Sequence, residues 1–439
     1  MKNNKLLLWS LTVALCGLLF GLDTAVISGA EQKIQKLWNL PDWLHGLAIA
    51  MALYGTVFGA AYGGWFADLL GRKRALFWVG FGFFISAVGS AVAQDVYTFM
   101  AFRLLGGLCI GASSVVAPIY ISEIAPAKSR GFLVALFQFN IVFGIMAAYI
   151  SNYLFQNAGS ENAWRWMLGI VGIPSLIFTV LTMLISESPR WLALVKGDNV
   201  AAKAVLDEID PEASADTLKS ILESQASTKN QPAVSFFSGK YNLPILLAFL
   251  LAFFNQVSGI NAVIYYAPRI FESTGLGAST ALLSTAGIGL VNLIFTVIGV
   301  SMIDKFGRRV LMYIGSIGYI VSLALIARAF YTNSFDGVQI FVFMFIASHA
   351  IGQGAVIWVF FSEIFPNEVR ASGQAFGCFV HWVFAAIITN VFPIFSTKFG
   401  GGPIFLFFSV MMIFQLLYVR FMMPETKGVA LEDMQTRFH

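Results

Sequence analysis

The chain has 439 residues, 58% of them hydrophobic and only 11% charged, with a formal net charge of +4 and a mean hydropathy of +0.77. Soluble domains carry roughly 25% charged residues, so this composition excludes a water-soluble globular protein and places most of the chain in lipid. Cys16, Cys109 and Cys378 all fall inside apolar runs, which excludes a disulfide framework or a cysteine metal site and leaves them as packing residues.

A spanning helix needs about 20 apolar residues. Runs of that kind cover 7–29, 45–67, 75–93, 97–121, 132–155, 165–185, 243–272, 279–303, 310–331, 337–361, 371–396 and 402–422. They are continuous and show none of the period-two alternation of barrel strands, so they predict an all-α membrane protein of about twelve transmembrane helices. The first run follows Lys2 and Lys5 but is too long for a signal peptide and contains Asp23, so it reads as a retained span.

One stretch breaks the pattern. Residues 187–240 are rich in Asp, Glu and Lys, with two short helical patterns near 198–209 and 213–225 separated by Asp210-Pro211. It is too short to bury a core of its own. The expected organisation is an N-terminal six-helix bundle over 1–186, a cytoplasmic linker over 187–240, and a C-terminal six-helix bundle with a short tail over 241–439.

The two halves carry the same cassettes. Asp68-Leu-Leu-Gly71-Arg72 recurs as Asp304-Lys-Phe-Gly307-Arg308, 236 positions later. Glu123-Ile-Ala-Pro126 with Arg130 recurs as Glu363-Ile-Phe-Pro366 with Arg370, 240 positions later. Two unrelated motifs at nearly one offset mark a duplicated half, the pattern of transporters built from repeats around a central site. The basic residues of these cassettes lie in alternate loops, which the positive-inside rule makes cytoplasmic. Both termini then face the cytoplasm, and Lys33, Lys36 and Arg269 form an outside minority. The basic clusters are small and sit beside spans, so no nucleic-acid partner is expected. The chain has no P-loop, and His45, His349, His381 and His439 form no metal pattern. No enzyme, cofactor or metal is expected.

Charges inside spans are costly, about 2.5–3.5 kcal/mol each on insertion scales, and mark function. Asp23 lies in the first span and Arg103 in the fourth. Pairing them is the least costly arrangement. A guanidinium favours the charged carboxylate while burial favours the protonated one, so the balance suits a proton carrier. An uncharged set accompanies them: Gln138, Asn255, Gln256, Asn261, Asn292 and His381, with Trp358 and Trp382. Amides donate and accept hydrogen bonds, as hydroxyl-rich ligands require, and aromatic faces cover the apolar side of a sugar ring. Any one amide more often serves to join helices; their density in the seventh span argues for a ligand. Gly259 is placed to interrupt that span.

These motifs closely resemble the sugar porter family of the major facilitator superfamily over essentially the whole chain. The resemblance rests on the two Asp-x-x-Gly-Arg cassettes, Ser186-Glu187-Ser188-Pro189-Arg190, the run from Gln256 through Ser258-Gly259-Ile260-Asn261 to Tyr265-Tyr266, and Pro424-Glu425-Thr426-Lys427-Gly428. It implies two bundles rocking around a central sugar site in the major facilitator fold. It places Phe20, Gln138, Asn255, Gln256, Asn261, Asn292, Trp358, His381 and Trp382 at that site and Tyr265 and Tyr266 at an outer gate. It makes Asp23 and Arg103 a proton-coupling pair; similar mammalian facilitators carry Asn at the Asp23 position. The cytoplasmic charges Asp68, Arg72, Glu123, Arg130, Asp304, Arg308, Glu363 and Arg370 are expected to tie the bundles together when the outer side is open, with Glu187 and Arg190 joining them to the linker. Asn255, Ile145 and His381 depart from the family's amide pattern, which leaves hexose and pentose both open.

The expected function is proton-coupled import of a monosaccharide by alternating access across a plasma membrane, of bacterial inner-membrane type, by a monomer in the lipid bilayer. A facilitative uniporter is the alternative. A sugar-sensing receptor on the same fold is a second, less favoured because the chain stops soon after the Pro424 motif.

Overall fold

The computed structural model describes residues 4–229, 235–366 and 368–428. Lys2 and His439 lie outside them, as do the residues of the tail past Gly428 and the side chains of Lys128 and Arg130. Among the described residues the structure is helical, without strands. Twelve stretches are long and apolar enough to cross a membrane. Helix is what lipid demands, because it satisfies every backbone N–H and C=O within its own segment.

The first half contains α1 (Asn4–Leu37), α2 (Asp42–Leu70), α3 (Arg72–Val92), α4 (Val96–Ile124), α5 (Ala127–Asn157), α6 (Ala163–Gly169) and α7 (Gly172–Leu184). The run 165–185, read as one span, is broken between α6 and α7. Pro174 offers no N–H to the Ile170 carbonyl, so the ladder is interrupted there. Three short helices follow: α8 (Pro189–Leu194), α9 (Asn199–Ile209) and α10 (Ser214–Lys229). The sequence patterns anticipated the last two. Helix α8 starts on the Ser188 hydroxyl, which accepts from the Trp191 N–H, with Pro189 at its first position. The α9 face of Ala202, Val205, Leu206 and Ile209 is buried, and Lys5 Nζ meets Glu208 Oε2 at 3.1 Å, so these helices pack beneath the membrane-spanning body.

The second half contains α11 (Asn242–Val257), α12 (Ile260–Glu272), α13 (Ala278–Phe306), α14 (Arg308–Thr332), α15 (Val338–His349), α16 (Ala355–Glu363), α17 (Arg370–Phe399) and α18 (Gly401–Phe421). Two spans are interrupted. Between α11 and α12, Gly259 adopts φ +84°, a left-handed conformation that costs glycine nothing. Between α15 and α16 the helix widens into a π-turn over Ala350–Gly354, a feature common at functional sites.

Small residues set how closely the helices approach. A Cβ on Gly107 of α4 would stand 1.9 Å from the Ala52 carbonyl oxygen of α2. The halves meet along α2 with α17, α5 with α13, and α1 with α12. Their closest approach is toward the ends of α1 and α2 remote from the Arg72 and Arg308 cassettes. There a Cβ on Gly46 would stand 2.0 Å from the Asn390 carbonyl oxygen. Cross-half hydrogen bonds reinforce this end: Tyr149 Oη donates to the Ile264 carbonyl at 2.9 Å, Asn390 Nδ2 to Tyr54 Oη at 3.0 Å, and Ser279 Oγ to Asn157 Oδ1 at 2.9 Å. At the basic end Phe58, Tyr62 and Trp65 of α2 are exposed. Among the described residues no hydrogen bond or ion pair crosses between the halves at the basic end, so the halves are closed at the far end and parted at the basic end.

Candidate substrate site and charge pairs

The break at Gly259 turns a row of polar side chains inward. Ser258 Oγ bonds the Asn255 carbonyl at 2.6 Å and receives the Ile260 N–H at 3.3 Å, so the interruption is satisfied locally. Gln256 lies at the centre of the cluster. Its Nε2 donates to Asn255 Oδ1 at 2.8 Å, its Oε1 accepts from Asn261 Nδ2 at 2.7 Å, and both ring nitrogens of His381 lie 3.3 Å from Nε2. All four side chains are buried. His381 is held between two indoles, its ring centroid 5.0 Å from Trp358 and 4.8 Å from Trp382 at 88°. Trp382 in turn meets Phe20 of α1 across the seam at 5.8 Å. Helices α1, α11, α12, α16 and α17 thus place Phe20, Asn255, Gln256, Asn261, Trp358, His381 and Trp382 in one cluster between the halves.

Two expected members stand differently. Gln138 on α5 and Asn292 on α13 are half-buried. Asn292 Oδ1 accepts only from Thr296 at 3.4 Å, and no bond joins either amide to the Gln256 cluster among the described residues. Tyr265 and Tyr266 are fully buried where α12 meets the first half. Tyr266 donates to the Thr389 carbonyl at 3.1 Å and stacks on Phe392 at 5.1 Å. The Tyr265 hydroxyl is buried without a hydrogen-bond partner. A surface cleft of about 370 Å³ lies elsewhere, between Trp38, Leu44, Asp95 and Tyr97. Asp95 is already committed there as the cap of α4.

Asp23 and Arg103 pair inside the first half. Arg103 Nη1 meets Asp23 Oδ1 at 2.9 Å, and Nη2 donates to the Asp23 carbonyl at 3.2 Å. Both side chains are buried, and Asp23 Oδ2 and Arg103 Nε have no partner. The pair is therefore half-satisfied, and one carboxylate oxygen remains available to a proton. Phe20 and Asp23 lie three residues apart on α1, on one face, so the pair and the aromatic cluster share a helical turn.

At the basic end the duplicated cassettes repeat atom by atom. Arg72 Nε and Nη2 each reach the Glu123 carboxylate at 3.0 Å, and Nη1 reaches Asp68 Oδ1 at 2.8 Å. Arg308 Nε and Nη2 reach Glu363 at 3.0 and 2.7 Å, and Nη1 reaches Asp304 Oδ1 at 3.1 Å. Bidentate guanidinium–carboxylate pairs of this kind fix geometry as well as charge. The expectation placed these groups between the bundles when the outer side is open; in this state, with the far end closed, each network closes within its own half. Arg370 Nε donates to the Phe365 carbonyl of its own half at 3.3 Å. Glu187 accepts the Lys73 N–H at 3.0 Å and the Ser188 N–H at 2.8 Å. Burial pushes its carboxyl above the usual range, against those N–H donors. Arg190 is exposed, and among the described residues no hydrogen bond or ion pair joins it to the network.

Sequence reasoning missed the second-half counterpart of Glu187. Glu425 receives the Arg308 and Arg309 N–H groups at 2.9 and 3.0 Å, and Thr426 Oγ1 donates to Glu363 at 2.6 Å. The signal was present: Glu425 follows the last span of its half as Glu187 follows the last span of the first, at nearly the offset of the other cassettes.

The sugar (and other) transporter family matches residues 9–438. The arabinose–proton symporter of Bacillus subtilis is 37% identical, covering 98% of this chain and 94% of its own. The glucose transporter GlcP of Staphylococcus epidermidis is 34% identical over 99% of this chain and 97% of its own. The inward-open structure of the xylose transporter XylE from Escherichia coli superposes with a TM-score of 0.87 at 31% identity, covering 98% of this chain and 99% of the other. The chain has the major facilitator fold and is a multi-pass membrane protein; it belongs to the sugar (and other) transporter family.

Proposed function

We propose that the chain imports a monosaccharide together with a proton by alternating access. The observation that carries the reading is α1 itself. One turn of it holds the half-satisfied Asp23–Arg103 pair and the Phe20 ring that meets Trp382 beside the amide–imidazole cluster across the seam. Proton uptake at Asp23 Oδ2 and sugar between the halves then bear on the same few residues. A ligand that binds one state better shifts the equilibrium by that difference in affinity, which is how a proton gradient drives accumulation. The amides supply donors and acceptors for hydroxyls, and Phe20, Trp358 and Trp382 supply faces for the ring. Pentoses and hexoses are the substrate class; relatives named for arabinose, xylose and glucose support it. The basic end faces the cytoplasm, with both termini, in a bacterial inner membrane, and the monomer is the working unit. The duplicated cassettes hold each half rigid as the two rock.

The test is uptake by proteoliposomes across a panel of pentoses and hexoses, with and without an imposed pH gradient. Accumulation above equilibrium only with the inside alkaline is expected. Uptake indifferent to the gradient would leave facilitated uniport.

Sugar ranking gives a second test. His381 touches Gln256 and both indoles, and its ring offers one donor and one acceptor in a geometry unlike an amide. His381→Gln is expected to change the preference among hexoses and pentoses by about one hydrogen bond, roughly 0.5–1.5 kcal/mol. Gln256→Ala, at the hub of the cluster, is expected to weaken all sugars alike. Competition binding against one labelled sugar measures both. An unchanged ranking in His381→Gln beside a general loss in Gln256→Ala assigns His381 to packing.

A further inference from the structure

The seal at the far end contains a cluster of buried polar side chains that the substrate site and the Asp23 pair do not use. Arg269 lies on α12, one turn beyond Tyr265 and Tyr266. Its Nε meets Glu31 Oε1 at 3.0 Å, and its Nη2 meets Glu31 Oε2 and Gln35 Oε1, each at 2.6 Å. Glu31 is on α1, so this bidentate pair joins the two halves. Glu31 is completely buried, and Arg269 keeps about a quarter of its side chain exposed (24%). His45 of α2 is also completely buried, with Nε2 2.8 Å from Glu31 Oε2. Its Nδ1 is buried without a hydrogen-bond partner, and Arg269 Nη2 also lies 3.4 Å from Nε2, so the imidazole touches both members of the pair. Gln35 Nε2 continues the chain to Asp42 Oδ1 at 3.1 Å. The charges at the basic end pair within a half, whereas this pair bridges the seam.

We propose that Glu31, His45 and Arg269 form an ionic latch that holds the far end shut, with His45 as the positioning residue that keeps the Glu31 carboxylate aimed at Arg269. The inference rests on the alternating-access reading and adds to it what stabilises one of the two states. When the halves part at this end, Arg269 leaves with α12 while Glu31 and His45 stay on the first half. The bidentate bond is made only in the closed state, so it biases the equilibrium toward closure. Removing one partner of a buried pair leaves an uncompensated charge and penalises the closed state strongly. Removing both leaves no orphan charge. Retaining charge with a lysine keeps the attraction and loses the fork.

The experiment uses the full chain in proteoliposomes, with spin labels on cysteines replacing the exposed Lys36 and Ser273 and with Cys378 changed to Ser. The far-end distance distribution is measured with and without a transported sugar. A predominantly short distance is expected for the unlatched controls' parent. Glu31→Gln and Arg269→Gln are each expected to raise the long-distance population roughly tenfold or more, the scale set by orphaning a buried charge. Glu31→Gln with Arg269→Gln together should open no further than either alone, and Arg269→Lys should stay nearer the parent than Arg269→Gln. His45→Gln, whose amide still donates to Glu31, should open less than His45→Leu. Additive shifts in the double variant, equal opening by Arg269→Lys and Arg269→Gln, or no opening in either single variant would overturn the latch. A parent whose distances never respond to sugar would instead overturn alternating access, so the two failures are distinct. Sugar binding retained in each variant separates a shifted equilibrium from misfolding.

Discussion

Asp23→Asn is expected to abolish uphill accumulation of sugar while leaving sugar binding and counterflow. Asparagine has the shape of a protonated carboxyl and stays neutral, so the site can no longer gain or lose a proton during the cycle. The geometry sharpens the expectation. Asp23 Oδ1 is engaged by Arg103 Nη1 at 2.9 Å, and Oδ2 has no partner, so the second oxygen is where the proposed mechanism takes up its proton. Arg103→Ala removes the guanidinium instead and strands a buried carboxylate. Breaking a buried pair in this way costs about 3–5 kcal/mol, so lower thermal stability is expected along with lost coupling. Uptake driven by an imposed pH gradient and exchange of labelled for unlabelled sugar, measured on the same proteoliposomes, read the two activities separately. Undiminished gradient-driven accumulation by Asp23→Asn would sink the assignment of the proton site.

The second large effect concerns the fold. Gly107→Val is expected to prevent stable assembly of the first half. A Cβ at that position would stand 1.9 Å from the Ala52 carbonyl oxygen and 2.7 Å from its carbon. The obstacle is backbone, so no side chain can turn aside, and α2 and α4 must separate. Overpacking that displaces backbone costs about 1–3 kcal/mol or more. The consequences reach function because α4 carries Arg103 and Glu123 and α2 carries Asp68. Gly64 on the same α2 is the control: nothing lies within 4 Å of a Cβ built there. Gly64→Ala should leave the melting temperature in detergent unchanged or slightly raised, since alanine is the better helix former. Equal melting temperatures for Gly107→Val and the parent would contradict the close crossing of the two helices.

The sequence alone determined the spans, the duplication and the residue types of the site. Lipid imposes one rule on every segment it surrounds, a long apolar run in helical form, and that rule is written locally. The cassettes were legible for a similar reason: each sits in a short loop, and Asp68 with Arg72 and Asp304 with Arg308 are neighbours at i and i+4 on the chain itself. Asp23 and Arg103 were legible because charge inside a span is so costly that it demands a partner, and few were available.

What only the tertiary structure decided was which of these groups meet, and in which state. Arg269 reads in the sequence as a stray outside charge; folded, it grips Glu31 from 238 positions away. Glu31 and His45 give no sequence signal of a pairing because both stand near span ends, where polar residues are ordinary, and their complete burial arises only when α1, α2 and α12 close over them. His381 was legible as a candidate, but its seat between Trp358 and Trp382 against Gln256 depends on the turn made at Gly259 and on the register of α17 against α11. The cassettes are expected to join the halves when the far end is open; with that end closed they pair within their own half, because a pair's partner depends on how the two bundles are rocked. A bundle that must exist in two arrangements encodes its helices in sequence, and the relative placement of its halves is fixed by contacts that one arrangement makes and the other breaks.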